Sequence, residues 1–235
     1  MAEFRILHLY PETLRLNGER GNVAALKLRA ELAGYSVKVS TLEVGESLPA
    51  NRPHLIFIGS GTFSATKVAH ADLAKKDLQI HAWIAQGLKV LAVGAGFDLV
   101  SKSLELPDGS VLEGLGLTNT EHKFAASYLV GEVWLSESFA GFVNSNRLIV
   151  RGAPGMELGI VRSSDNAGLV GYVDGYQDGK VMASNVQGPL LPMNPQLADR
   201  LLSWVFPKYV KPKTADTFDR LAKKARAAIL ARVRS

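Results

Sequence analysis

Val90-Leu91-Ala92-Val93-Gly94-Ala95-Gly96-Phe97 is an apolar run that breaks into a glycine-rich turn. A buried strand that ends this way is the sequence form of a nucleophile elbow. The chain there bends sharply into a helix and holds one side chain up over the sheet. The residue at the bend is Gly94, which has no side chain to hold. The chain contains no cysteine, so no thiolate stands at the bend or anywhere else. The scaffold reads as that of an enzyme, and the reagent is missing.

The chain on the N-terminal side alternates strand and helix. Residues 4–10 form a strand. A helix over 23–33 puts Val23, Leu26, Ala30 and Ala33 on one face and stops at Gly34. Residues 36–43 alternate as a strand. Pro53-His54-Leu55-Ile56-Phe57-Ile58 is continuously apolar after its first two residues and runs into Gly59-Ser60-Gly61, as a strand buried on both faces does. A helical pattern covers 65–86 and closes at Gly87. Repeated strand-helix-strand units predict an α/β fold: a doubly wound, mostly parallel, flavodoxin-like sheet with right-handed crossovers. Ligands of such sheets bind beyond the carboxyl ends of the strands. The turns at 59–62 and 94–97 should therefore face one crevice.

Between 104 and 178 glycines are frequent, and segments such as 128–135 and 148–150 look β-like, which predicts antiparallel strands and hairpins. A strand returns at 180–185. Asn194-Pro195 opens a helix over 196–205, because proline fits the first helical turn, where its missing N–H costs nothing. Residues 1–206 read as one domain. Residues 207–235 read as a Pro/Lys linker and a basic amphipathic helix over 217–232, capped by Thr214 or Asp216. Its apolar stripe is Phe218, Leu221, Ala225, Ala228 and Ile229. This tail carries nine Lys/Arg and two Asp/Glu. The whole chain is at +5, so the remaining residues total −2. Three readings of the tail stay open: a solvated helix folded on its own domain, a helix docking into a partner's groove, or phosphate contact with nucleic acid or an anionic membrane.

The composition, 47% apolar and 21% charged, is that of an ordinary globular domain rather than a disordered chain. No apolar run approaches the roughly 18–20 residues that span a bilayer. The opening residues lack a signal-peptide layout, so a cytoplasmic location is expected. Without cysteine there is no disulfide and no thiolate metal site. Histidines 8, 54, 70, 81 and 122 form no close pair, so no metal and no cofactor are expected. The glycine turns could cradle an anion, but neither is a GxxxxGK(S/T) nucleotide-binding loop. Among polar residues, Ser60 reads as a turn hydroxyl and Ser101 and Ser103 as helix-end residues. His8 reads as a core or crevice residue, and His122 as solvated in a polar loop. Asp98 and Glu105 do not read as an acid/base pair.

Several motifs resemble one family in combination. They are Leu9-Tyr10-Pro11-Glu12-Thr13-Leu14, Gly18-Glu19-Arg20-Gly21-Asn22-Val23, the Phe57-Ile58-Gly59 strand end and the elbow. Gly114-Leu115-Gly116-Leu117, Gly141-Phe142 and Asn185-Val186-Gln187-Gly188-Pro189-Leu190-Leu191-Pro192-Met193-Asn194-Pro195 complete the set. Over residues 5–205 the chain resembles the cobyric acid synthase-like glutamine amidotransferases, in particular the GatD-type subunits of lipid II isoglutaminyl synthase. The resemblance implies a class I glutamine amidotransferase-like fold. It implies a heterodimer with a Mur ligase-like (MurT-type) partner, which uses ATP to amidate the D-glutamate of lipid II in peptidoglycan synthesis with ammonia released from glutamine.

That chemistry needs a thiolate, a histidine base and an oxyanion pocket. The family's cysteine position is Gly94 here, and its histidine position is Gln187, which cannot take a proton near neutral pH. The family's Gly-Gly-Gln-Asp turn has become Ser60-Gly61-Thr62-Phe63. Asn17 and Glu19 replace a Tyr and an Asp, and a substrate-contacting Arg would fall near Tyr128. The resemblance thus implies a pseudoenzyme with no catalytic residues. Its crevice would be formed by Gly59, Ser60, Gly61, Gly94, Ala95, Gly96, Gln187 and Gly188. The alternatives are an active glutaminase subunit that uses other residues, or a ligand-sensing pseudoenzyme.

Overall fold

The structure is a computed structural model that describes residues 2–234. Five parallel strands run through the centre: β1 (Glu3–Leu9), β2 (Ser36–Leu42), β3 (Leu55–Ile58), β4 (Lys89–Val93) and β12 (Val181–Ser184). They lie in the order β2-β1-β3-β4-β12, with the short β11 (Tyr176–Gln177) antiparallel at the edge. α1 (Arg20–Leu32) links β1 to β2, a helix-free segment joins β2 to β3, α2 (Phe63–Leu73) and α3 (Asp77–Ala85) link β3 to β4, and β4 runs into α4 (Ala95–Val100).

The continuous apolar runs follow from burial of both faces. Leu55, Phe57, Leu91 and Val93 pack with Val23, Leu26 and Ala30 of α1. Ile56, Ile58, Val90 and Ala92 point the other way, into a core with Leu73, Ile80, Trp83 and Phe97. Each such side chain contributes roughly 1.5–3 kcal/mol on leaving water, so neither face tolerates a polar alternation.

The single helix expected over 65–86 is two helices. Thr62 caps the first, its hydroxyl accepting from the Ala65 N–H at 3.2 Å. A 3₁₀ turn at Ala74–Lys76 then separates α2 from α3. Buried Asp72 pins that turn, accepting from Lys76 Nζ at 2.5 Å, Tyr10 Oη at 2.8 Å and the Gly45 N–H at 3.0 Å. The apolar period continues across the break, so the break has no local signature.

The middle of the chain forms a second sheet. Its strands are β5 (Ser103–Glu105), β6 (Val111–Glu113), β7 (Glu121–Leu135), β8 (Ala140–Arg151), β9 (Gly159–Ser164), β10 (Val173–Asp174) and β13 (Val186–Gln187). Most pairs are antiparallel as expected, but β5 and β7 are parallel. Ser103 opens β5 rather than ending a helix, whereas Ser101 does end α4. The chain leaves the parallel sheet at Ser184 and pairs with β8 through Val186↔Val143 and Gln187↔Phe142. Buried Asp174 braces that corner, accepting from Ser184 Oγ at 2.6 Å and the Asn185 N–H at 2.9 Å. The corner delivers Gln187 to the end of β4.

After α5 (Leu190–Met193), Pro195 opens α6 (Pro195–Val205). The last helix, α7 (Asp216–Arg232), starts after Ala215. No side chain caps it; Asp216 is its first residue. It packs on the body with Ala222, Ile229 and Val233 buried. Phe218, Leu221, Ala225 and Ala228 of the expected stripe stay exposed. Ion pairs set this rotation: Arg29 bonds Asp219 at 2.7 Å and Asp199 at 2.5 Å, and Arg232 bonds Glu132 at 2.6 Å. Among the described residues, no helix is long and apolar enough to cross a membrane.

Candidate functional site

The elbow forms because β4 ends on a residue with φ 58° and ψ −119°, a backbone that glycine adopts most readily. The Gly94 N–H donates to Ser184 O at 2.9 Å, and the Gly96 N–H to Gly59 O at 3.0 Å. A β-carbon on Gly96 would stand 2.9 Å from the carbonyl carbon of Ile58. Only glycine lets the two strand-end turns approach this closely.

Ser60 and Gln187 converge on Gly94. A β-carbon there would lie 2.8 Å from Ser60 Cβ, closer still to Ser60 Oγ, and 3.1 Å from Gln187 Nε2. Ser60 Oγ accepts from the Ala95 N–H at 3.4 Å. In an elbow, the N–H after the nucleophile is an oxyanion donor; here a hydroxyl engages it. Gln187 is buried, accepts from Asn17 Nδ2 and donates to Asn144 O at 3.4 Å. Its amide is clamped at both ends.

A cavity of about 190 Å³ opens over this point. Ser60, Gly61, Ala95 and Gln187 line it, together with Asn17, Asp98, Tyr128 and Arg147. Gly59, Gly94, Gly96 and Gly188, expected in the crevice, do not line it. Gly188, with φ 56°, packs on the Asn17 carbonyl, and its N–H donates to Glu19 at 3.4 Å. Glu19 is buried, and burial pushes its carboxyl up to about 8 against the opposing bonds from Gly188 and Asn22. His8 is buried in β1 against Phe57 at 4.9 Å, with Nε2 unpartnered, and burial lowers it to about 4. It does not line the crevice.

His122 is not solvated in a loop: it is buried in β7. Its Nδ1 bonds Asp98 at 2.8 Å and its Nε2 bonds Thr120 Oγ1 at 3.0 Å. Asp98 also accepts from Arg147 Nε at 3.0 Å, and the Arg147 guanidinium lies 3.5 Å from the Phe124 ring centre. Arg147 is thus a crevice arginine that enters from β8, while Tyr128 holds the place where the resemblance put one. Asp98 follows the elbow by four residues, which was its only local signal. The contacts that explain it come from 24 and 49 positions away.

The arrangement can orient a small anionic or amide-bearing molecule through Arg147 and the backbone around Ser60. No hydrogen bond among the described residues joins Ser60 to a basic side chain, so no nucleophile–base pair is assembled.

An elbow at the end of a parallel strand, facing a crevice closed by a strand from a second sheet, fits a class I glutamine amidotransferase-like fold. The chain belongs to the CobB/CobQ-like glutamine amidotransferase domain family, whose profile matches residues 5–194. Within it, the chain is 26% identical over 215 residues to the GatD subunit of lipid II isoglutaminyl synthase (glutamine-hydrolyzing) from Staphylococcus aureus (strain N315), covering 86% of this chain and 84% of that one. It is 27% identical over 214 residues to the same subunit from Streptococcus pneumoniae (strain ATCC BAA-255 / R6), covering 88% and 82%. A glutamine amidotransferase crystal structure superposes with a TM-score of 0.53 at 15% identity, covering 85% of this chain and 98% of that one. That likeness concerns the fold alone.

Proposed function

We propose that this chain is a catalytically degenerate amidotransferase-like subunit. It works in the cytoplasm as a heterodimer with a Mur ligase-like (MurT-type) partner, in the amidation of lipid II D-glutamate during peptidoglycan synthesis. One observation carries the reading: the space of the family's nucleophile is filled by the Ser60 side chain over a glycine. The base position holds a clamped amide that cannot take a proton. Removing a nucleophile from a comparable catalytic unit costs on the order of 10⁶ in turnover. The subunit therefore supports its ligase structurally, and ammonia arrives from solution or from another protein.

The test is amidation by the purified complex of this chain and its ligase, fed either ammonium or amide-labelled glutamine. Amidation should proceed with ammonium, and glutamine should release no glutamate above background. Partner-dependent glutamate release would establish the active-glutaminase alternative instead.

Arg147 favours a second reading, a ligand-sensing crevice. A guanidinium anchored on buried Asp98 and stacked on Phe124 is preorganised for a carboxylate. A rise in melting temperature with glutamate, glutamine or small anions supports it, and a flat response counts against it.

A further inference from the structure

The apolar residues of α7 divide into two sets. Ala222, Ile229 and Val233 bury against the body. Phe218 and Leu221, 44% and 60% exposed, lie beside that contact, and Ala225 and Ala228 continue the exposed strip along the helix. Across from them, α1 presents Ala24, Ala25 and Leu28, and Pro192 lies between the two helices. The result is an apolar groove of about 360 Å³. An isolated exposed leucine needs no explanation, but a concave apolar groove between two helices does. The small side chains of Ala24 and Ala25 leave room for a third helix to approach.

The charge around the groove narrows the occupant. Arg220 and Lys224, one residue before and three after Leu221 on α7, are exposed, and no acidic side chain among the described residues forms an ion pair with them. The two acids of α7 are already engaged: Asp216 with Lys211, and Asp219 with Arg29 and Lys211. α7 therefore offers unmatched positive charge beside its apolar strip. A second copy docking by the same face would bring cation against cation. A bilayer is met by apolar side chains that project into it, whereas here most of them line a hollow.

We propose that the α1–α7 groove is the docking site for an acidic amphipathic helix of the Mur ligase-like partner. The proposal rests on the subunit reading given above, and it adds the surface and the chemistry of the contact. The partner helix lays leucine-like anchors at i, i+3, i+4 and i+7 spacing over Leu28, Phe218 and Leu221, and its carboxylates meet Arg220 and Lys224. Those charges act mainly on association, so binding weakens with salt.

The experiment measures affinity between the purified full-length chain and its purified ligase. Wild type is compared with Leu221→Asp and with the pair Arg220→Glu/Lys224→Glu. All three positions are exposed, and an unchanged melting temperature certifies the fold. Each variant should bind about tenfold more weakly or worse, and the defect of the charge pair should shrink as salt rises. A photo-crosslinker at position 221 reads the same contact without weakening it and should label an acidic helix of the ligase.

Wild-type affinity in both variants, with crosslinks elsewhere, overturns the docking site and leaves the subunit reading standing. Failure of the wild-type chain to bind the ligase overturns both. Crosslinking to a second copy overturns the proposal. So does Leu221-dependent binding to phosphatidylglycerol vesicles with ligase affinity intact.

Discussion

The side chain of Ser60 occupies the space into which a β-carbon on Gly94 would project. The two residues are complementary: a side chain at 94 needs a smaller one at 60. Gly94→Ala should destabilise the protein by about 1–3 kcal/mol, through overlap with Ser60 and the left-handed backbone. Combining it with Ser60→Gly should recover part of that loss. Urea denaturation of the two variants and the parent gives the comparison.

The same relationship sets the route to a working nucleophile. Gly94→Cys with Gln187→His places a thiol and an imidazole within reach of each other, since a β-carbon at 94 lies 3.1 Å from Gln187 Nε2. Ser60 blocks that geometry. The triple variant with Ser60→Gly should therefore react with a thiol-alkylating glutamine analogue at least tenfold faster than the double variant. Equal rates would mean that Ser60 does not obstruct the site.

Glu19 should make stability fall with alkalinity. Burial raises its folded-state carboxyl from an ordinary 4.5 to about 8. Below the ordinary value both folded and unfolded states hold the proton, and the full stability is present. As pH rises the unfolded chain ionises first, so stability declines until pH passes the folded-state value near 8. Glu19→Gln removes the ionisation and should flatten this decline. It should also raise stability at alkaline pH by at least about 1 kcal/mol, one pKa unit being worth about 1.4 kcal/mol. Denaturation midpoints across the pH range provide the check.

Asp98 holds His122 and Arg147 together in a buried site. Asp98→Ala leaves that guanidinium uncompensated and should cost about 3–5 kcal/mol. Arg147→Lys keeps the charge but loses the planar stacking on Phe124. It should leave the fold intact while abolishing any thermal shift produced by a carboxylate ligand. A shift that survives Arg147→Lys would place the ligand elsewhere.

The two faces of α7 should respond differently to alanine. Ile229→Ala opens a cavity against Ala140 and should cost about 2–4 kcal/mol. Leu221→Ala on the exposed side should stay within about 0.5 kcal/mol. The contrast in melting temperature tests the rotation of the helix independently of any partner.

Parallel strands buried on both faces leave continuous apolar runs, so 55–58 and 90–93 announced the sheet. Glycine at positions 59, 61, 94 and 96 announced two turns that had to share the strand-end crevice. Those signals are local, because a strand's burial is written in its own side chains. The break between α2 and α3 was not legible, since Asp72, Lys76, Tyr10 and Gly45 create it from three separate segments. His122 was misplaced for a related reason. A polar neighbourhood in the chain says nothing about a carboxylate 24 residues earlier that compensates its burial.

The amino-acid order alone settled that this chain has no thiol, that position 94 is a glycine and that position 187 is a glutamine. Those are chemical identities, which folding cannot alter. Which side chain fills the space over Gly94, which amides clamp Gln187, which arginine enters the crevice and which side of α7 turns inward are matters of close packing. Each depends on excluded volume and on matching buried charges across distant segments. A period of two or of 3.6 in the sequence reports that a residue is buried. It does not report what the residue is buried against.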